Sequence, residues 1–149
     1  MIFHHRQRRN ILSLKLMMND REISQTTEFN FLGVTITNTL DWSKHVSKIS
    51  HKISQTIGIM SRLKKYVPKT ALKQIYTSLI LSRLHYSILL WGFDSSRLFK
   101  LQKKAIRILC SAKYNAHTDP LFQDLGLLKV KSIFELQCAK FFYRFQNKL

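Results

Sequence analysis

Between residues 36 and 41 the spacing of apolar side chains switches from two to about 3.6, and it does not switch back. Before the switch, Leu12, Leu14, Leu16 and Met18 alternate with Ser13, Lys15 and Met17, and Leu32, Val34 and Ile36 alternate in the same way. After it, Trp42, Val46, Ile49, Ile53, Ile57, Met60 and Val67 fall on one arc of a helix. This order restricts the chain to an α+β class, mainly α. A short N-terminal antiparallel β segment, residues 1–37, precedes a helical bundle of four to five helices, residues 38–149. The low content of turn formers, four Gly and two Pro, favours helices over a loop-rich fold.

In the β segment, MIFHH reads as a short strand and RQRRN as a polar connection. Asn19-Asp20 is a turn signal, after which residues 22–26 return as a hairpin partner. FNFLGVTI reads as a strong strand interrupted at Gly33, where a bulge or a close backbone approach is expected. The first 19 residues carry four basic side chains and no acid, which would suit a targeting presequence. The strand-like alternation of ILSLKLMM favours a structural role instead.

Asp41 or Thr39 can cap a helix running to about Tyr66 and stopped by Pro68. A second helix is expected from about Thr70 to Trp91, and its apolar second half predicts the most buried element. Asp94, Ser95 or Ser96 caps a third, with Leu98, Leu101, Ala105, Ile108 and Leu109 as its core stripe. Asp119-Pro120 opens a short helix that ends near Gly126. Ser132 and Glu135 have capping-box spacing for a last helix, with Ile133, Leu136, Ala139, Phe142 and Phe145 as its apolar positions.

Charge is distributed very unevenly. Residues 42–118 hold fifteen Lys/Arg and one acid, Asp94, for a net +14 of the chain's formal +17. With 45% hydrophobic residues, the excess belongs to a folded module and not to a disordered tail. A one-sign surface of this size calls for a polyanionic partner. The candidate nucleic-acid-binding residues are Lys44, Lys48, Lys52, Arg62, Lys64 and Lys65 in and after the first helix, and Arg97, Lys100, Lys103, Lys104 and Arg107 on the third. The last five lie within about 120° of arc opposite the apolar stripe. Lys and Arg on phosphates position a nucleic acid without reading its bases, so binding should be indifferent to sequence. Tyr66, Tyr76, Tyr86 and Trp91 could stack on bases, although their helical spacing suits core packing better.

Catalysis finds no support in the residue inventory. The eight acids sit at turns, caps and strand edges, and none forms the adjacent pair that two-metal phosphoryl transfer needs. There is no phosphate-binding loop and no nucleophile elbow. No catalytic residue, cofactor or metal site is therefore expected. His45 and His51 share a helix but do not converge, and His45 reads as a packing residue beside Trp42. Cys110 and Cys138 lack metal-type spacing and read as buried free thiols in an intracellular protein, nuclear or cytoplasmic. The best apolar run, residues 75–91, is interrupted by Ser82, Arg83 and His85, so no membrane span is expected.

Five ordered stretches carry a family resemblance. Phe31-Leu32-Gly33-Val34-Thr35-Ile36, followed by Leu40-Asp41-Trp42-Ser43-Lys44-His45-Val46, resembles the segment after the catalytic core of LINE-type (non-LTR) retrotransposon reverse transcriptases, of the jockey-like kind. IYTSLILSRLHYSILLWG, LQKKAIRIL, YNAHTDPLFQDLGLLKV and IFELQ resemble later parts of the same pattern, in order. Ser82 stands where the family usually has Pro, which puts a local kink in doubt. The resemblance covers essentially the whole chain.

The resemblance implies roles. Phe31, Leu32 and Gly33 would form a primer-grip-like hairpin holding the 3′ end of the growing strand. The helices beyond would be a thumb closing on an RNA–DNA hybrid or duplex. The fingers, and the palm with its paired aspartates, would lie before Met1 as missing partners. The chain would then be a reverse-transcriptase fragment and no enzyme on its own. An independent basic helical module, RNA-associated or a protein adaptor, is the alternative; binding to acidic protein or anionic lipid is a third reading. The β segment, with open strand edges, is expected to be marginally stable or to self-associate. The oligomeric state is left open.

Overall fold

A computed structural model of the chain describes residues 1–5 and 15–148. Its residues fall into two compact units, Met1–His45 and Val46–Leu149. Among the described residues the first contains four short strands and the start of one helix, and the second is helical. The fold is mainly α with N-terminal antiparallel hairpins, as the change in period implies.

In the first unit, β1 (Leu16–Met18) pairs with β2 (Arg21–Ile23), and β3 (Glu28–Phe31) pairs with β4 (Val34–Thr37), both antiparallel. Each hairpin turns through two residues with positive φ: Asn19 at 49° and Asp20 at 59°, then Leu32 at 46° and Gly33 at 80°. Those are the signs of a type I′ turn, whose twist matches the flanking strands. FNFLGVTI is therefore two strands and a turn, and not one strand with a bulge. Leu32 leaves the alternation with Val34 and Ile36, because a two-residue reversal places it at the tip, 74% exposed.

Two further expectations fail here. Residues 1–5 form no strand; a ladder-like bond, His4 N–H to Asn38 O at 2.9 Å, and a side-chain bond between Asn38 Nδ2 and His4 Nε2 at 3.0 Å tie His4 to the residue after β4. β1 is exposed on both faces, so its alternation does not mark a buried side. RQRRN, Leu12 and Leu14 lie outside the described residues.

After β4 the Thr37 hydroxyl accepts from Asp41 N–H at 2.9 Å and donates to Asp41 O at 3.0 Å. Asp41 Oδ1 then accepts from Ser43 N–H at 2.9 Å, the geometry of a helix N-cap. This starts α1 (Ser43–Leu63) where the sequence places it. Val46, Ile49, Ile53, Ile57 and Met60 are all buried, while Trp42 and Val67, expected on the same arc, flank α1 and are only half-buried.

The second helical run is less regular than expected. α2 (Lys69–Ile75) continues through a π segment (Tyr76–Leu81) into α3 (Ser82–His85). Ser82 N–H donates to Thr77 O, five residues back, so the run is distorted even with Ser in place of Pro. The hydroxyls of Thr77, Ser78 and Ser82 all bond to carbonyls of the preceding turn. Ser87, at φ 52°, then breaks the run before α4 (Ile88–Trp91). Tyr76, Ile80, Leu84, Ile88 and Trp91 are buried, but Leu79, Tyr86, Leu89 and Leu90 are exposed. The apolar second half therefore has one packed face and is not the most buried element.

Gly92 opens a 3-10 turn (Gly92–Asp94) and packs against Phe134: an added Cβ would sit 2.5 Å from that ring. α5 (Ser96–Leu109) buries Leu98, Gln102, Ala105, Ile106 and Leu109. Leu101 and Ile108, expected in the core, are half-buried at its edges. α6 (Asp119–Leu125) has Pro120 in its first turn. Gly126, at φ 63°, closes it: Gly126 N–H reaches Gln123 O, and Leu127 N–H reaches Phe122 O, each at 3.0 Å.

The last helix, α7 (Val130–Gln146), starts earlier than its capping-box residues suggest. Ser132 lies inside it and makes no cap, and Glu135 faces Lys131 at 3.9 Å. The first amide is satisfied from another helix: Val130 N–H donates to Gln102 Oε1 at 2.9 Å. Only Val130 and Ile133 of α7 are buried; Leu136, Phe142 and Phe145 are exposed, against the expected stripe. Among the described residues no helix is long and apolar enough to cross a membrane.

Candidate nucleic-acid interface

Gln102 organises the helical unit from its centre. Fully buried, it donates from Nε2 to Tyr76 Oη and to Leu128 O, each at 3.0 Å, while its Oε1 caps α7. Burial pushes the Tyr76 hydroxyl above its ordinary pKa, and the bond from Gln102 offsets part of that rise. These bonds fix the rotation of α5 about its axis. With Gln102 inward, Lys100 and Lys104 are exposed and Lys103 and Arg107 half-buried.

Lys104 and Arg107 line a shallow groove of about 250 Å³ together with Ser61, Lys64, Ile108, Ala112 and Tyr114. An adjoining hollow of about 350 Å³ shares Lys104, Arg107 and Tyr114 and adds Lys100, Leu101 and Lys103. Five cations thus border two hollows that share Lys104, Arg107 and Tyr114, and among the described residues neither lining contains an acid. Lys103 Nζ sits 4.4 Å above the Phe99 ring, which stacks on Phe122 with centroids 6.5 Å apart. That cation–π contact draws Lys103 down toward the helix surface.

The other sequence candidates lie elsewhere. Lys44 is exposed, with Nζ 2.7 Å from Glu28 Oε2, so its charge faces an acid. Lys48, Lys52, Arg62, Lys65 and Arg97 are exposed but do not line the groove. Phe31, Leu32 and Gly33 are exposed at the β3–β4 turn. Arg83, within the basic block, donates to Thr56 Oγ1 at 3.0 Å and serves the packing of the helices.

Sequence reasoning missed Gln102 and Tyr114. Gln102 sits on a helix among cations, where a polar residue is expected to face water. Tyr114 lies in the loop between α5 and α6, outside any periodic stripe. Its only signal is a large aromatic in an otherwise polar connection. Of the four aromatics considered for stacking, Tyr76 and Trp91 are buried, whereas Tyr66 and Tyr86 are exposed.

His45 is buried in the first unit and accepts the Thr35 N–H at Nδ1, 3.2 Å away. Acceptance there requires Nδ1 to be unprotonated. Cys110 and Cys138 are free and only half-buried; burial and nearby Asp124 push the Cys110 thiol up, against an opposing pull from Lys69. Among the described residues no group of three or more His, Cys, Asp or Glu could hold a metal.

The sequence is 25% identical over 120 residues to the RNA-directed DNA polymerase from mobile element jockey of Drosophila funebris. That is a distant relation to a retrotransposon reverse transcriptase. The alignment takes in 76% of this chain but 13% of the polymerase, so the chain spans a small part of that protein's length. No protein-family model and no solved structure matches the chain.

Proposed function

We propose that this chain is a primer-grip and thumb segment of a LINE-type reverse transcriptase, and that it holds template–primer nucleic acid through the sugar-phosphate backbone. In this reading residues 1–37 are the end of the palm and residues 38–149 the thumb. Palm and fingers supplied with the paired aspartates are its partners, and polymerisation belongs to that assembly. The observation that carries the proposal is the acid-free groove bordered by Lys64, Lys100, Lys103, Lys104 and Arg107. Phosphates on such a surface release counterions as they bind, which makes affinity salt-dependent and indifferent to base sequence. The reversal at Leu32–Gly33 suits a primer-grip role, since it brings backbone and two apolar side chains to an exposed tip.

Fluorescence anisotropy with an RNA–DNA hybrid and duplex DNA, at two salt concentrations, tests this. Binding at about micromolar affinity or weaker is expected, falling steeply with salt. Changing Lys100, Lys103 and Lys104 together to Gln should weaken every sequence alike and reduce the salt slope by about 3, one for each phosphate left without its lysine. Arg107 is left intact because its Nε donates to Ala116 O at 2.9 Å and holds the adjoining loop. No binding at low salt, or an unchanged slope in the triple variant, would sink the proposal.

A further inference from the structure

Tyr114 is 87% exposed, yet the loop that carries it is held at three points. Ala112 N–H donates to Arg107 O at 2.9 Å, closing α5 with Ser111 in the left-handed region at φ 51°. Ala116 N–H donates to Lys113 O at 3.0 Å, which makes Tyr114 the first central residue of a turn. Arg107 Nε then fastens Ala116 O from the helix. The fold therefore holds the backbone at Tyr114 and leaves its large ring in water, where it gains little from burial.

The ring borders both halves of the basic groove, with Lys64 lining one and Lys100 and Lys103 the other. An aromatic face among cations is complementary to an unpaired nucleotide: the ring stacks on the base while the cations take the phosphates. Bases inside a duplex are already stacked on each other and offer no free face. We infer that Tyr114 is a stacking platform for an unpaired nucleotide, so that the groove favours a strand that leaves a duplex over a blunt duplex end. The inference rests on the nucleic-acid reading above and adds a ligand feature to it.

The test uses the full chain and two fluorescent probes, a blunt RNA–DNA hybrid and the same hybrid with a single-stranded overhang. The overhang probe should bind about tenfold more tightly. Tyr114→Ala should abolish that preference, bringing the two probes to equal affinity, and Tyr114→Phe should preserve it, since stacking needs the ring and not the hydroxyl. The salt slope should be unchanged in Tyr114→Ala, because the ring releases no counterions. Phe93→Ala, an exposed ring outside the groove, should keep the preference. Equal affinity for the two probes, or a preference that survives Tyr114→Ala, overturns this inference and leaves backbone binding standing. Failure to bind either probe overturns both. If phosphatidylserine vesicles retain the chain through Tyr114 and neither probe displaces them, the ring is a membrane contact and the inference is wrong.

Discussion

All ten residues of β1, β2 and β3 are exposed, whereas α1 and α5 each bury a continuous stripe. β4 is the exception in the first unit, with Val34, Thr35 and Thr37 buried; elsewhere the two units are organised by different forces. The hairpins are shaped by their turns: Asn19, Asp20 and Gly33 adopt positive φ readily, Leu32 adopts it at a steric cost, and the turn sets the register of the strands that follow. The helices take their positions from burial and from a few polar anchors. Damage should accordingly spread through the helical unit and stay local in a hairpin.

Gln102→Ala offers the largest test of that contrast. It leaves Tyr76 Oη, Leu128 O and Val130 N–H without their buried partner. A loss of about 3 kcal/mol is expected, read as a lower urea midpoint by circular dichroism. Cross-strand nuclear Overhauser effects between Phe29 and Ile36 should survive it, because those residues pair within the hairpin. Disappearance of that pairing along with the helices would show that the hairpin depends on them.

Gly33→Ala is the converse experiment. At φ 80° an added Cβ is strained, and about 1 kcal/mol should be lost from the β3–β4 hairpin. Those cross-strand effects should weaken while the helical melting transition stays in place. A large fall in the melting temperature would mean that the units are coupled.

The smallest effect is expected at Asp119, whose carboxylate accepts from Lys129 Nζ at 2.9 Å. That bond is the main reason its pKa is held below the usual carboxylate value. A lowered folded-state pKa contributes stability above the unfolded value and loses it as pH falls through the folded one. Asp119→Asn should therefore flatten the acid limb of a stability–pH curve slightly. The group is exposed and screened, so any large change would point to a role beyond this pair.

Much of this was legible in the sequence. The α1 stripe from Val46 to Met60 and the cap at Asp41 follow from spacing and local chemistry, and so does the end of α6 at Gly126. The candidate interface was half legible. The face of α5 was evident from the positions of Lys100, Lys103, Lys104 and Arg107, but not which other cations would join it. Lys64 does so; Arg62 and Lys65, its near neighbours, do not. Periodicity places a side chain on a face of its own helix and carries no information about which helix lies alongside.

The C-terminal helix failed for the same reason. Its apolar positions look like a core stripe, yet Phe142 and Phe145 are 65% and 77% exposed because α7 is packed only at its beginning. Its start was also misplaced, since the capping group comes from Gln102, 28 residues earlier in the chain, and not from the neighbouring Ser132.

The sequence by itself determined the α+β class, the point where strands give way to helices, and the concentration of positive charge. Each depends on interactions within a few residues, or on a sum over residues. Tertiary structure alone decided that Gln102 lies inward, that five cations border two hollows sharing Lys104, Arg107 and Tyr114, and that the Tyr114 ring stays in water beside them. Those outcomes depend on which surfaces meet, and that is settled by packing between segments far apart in the chain.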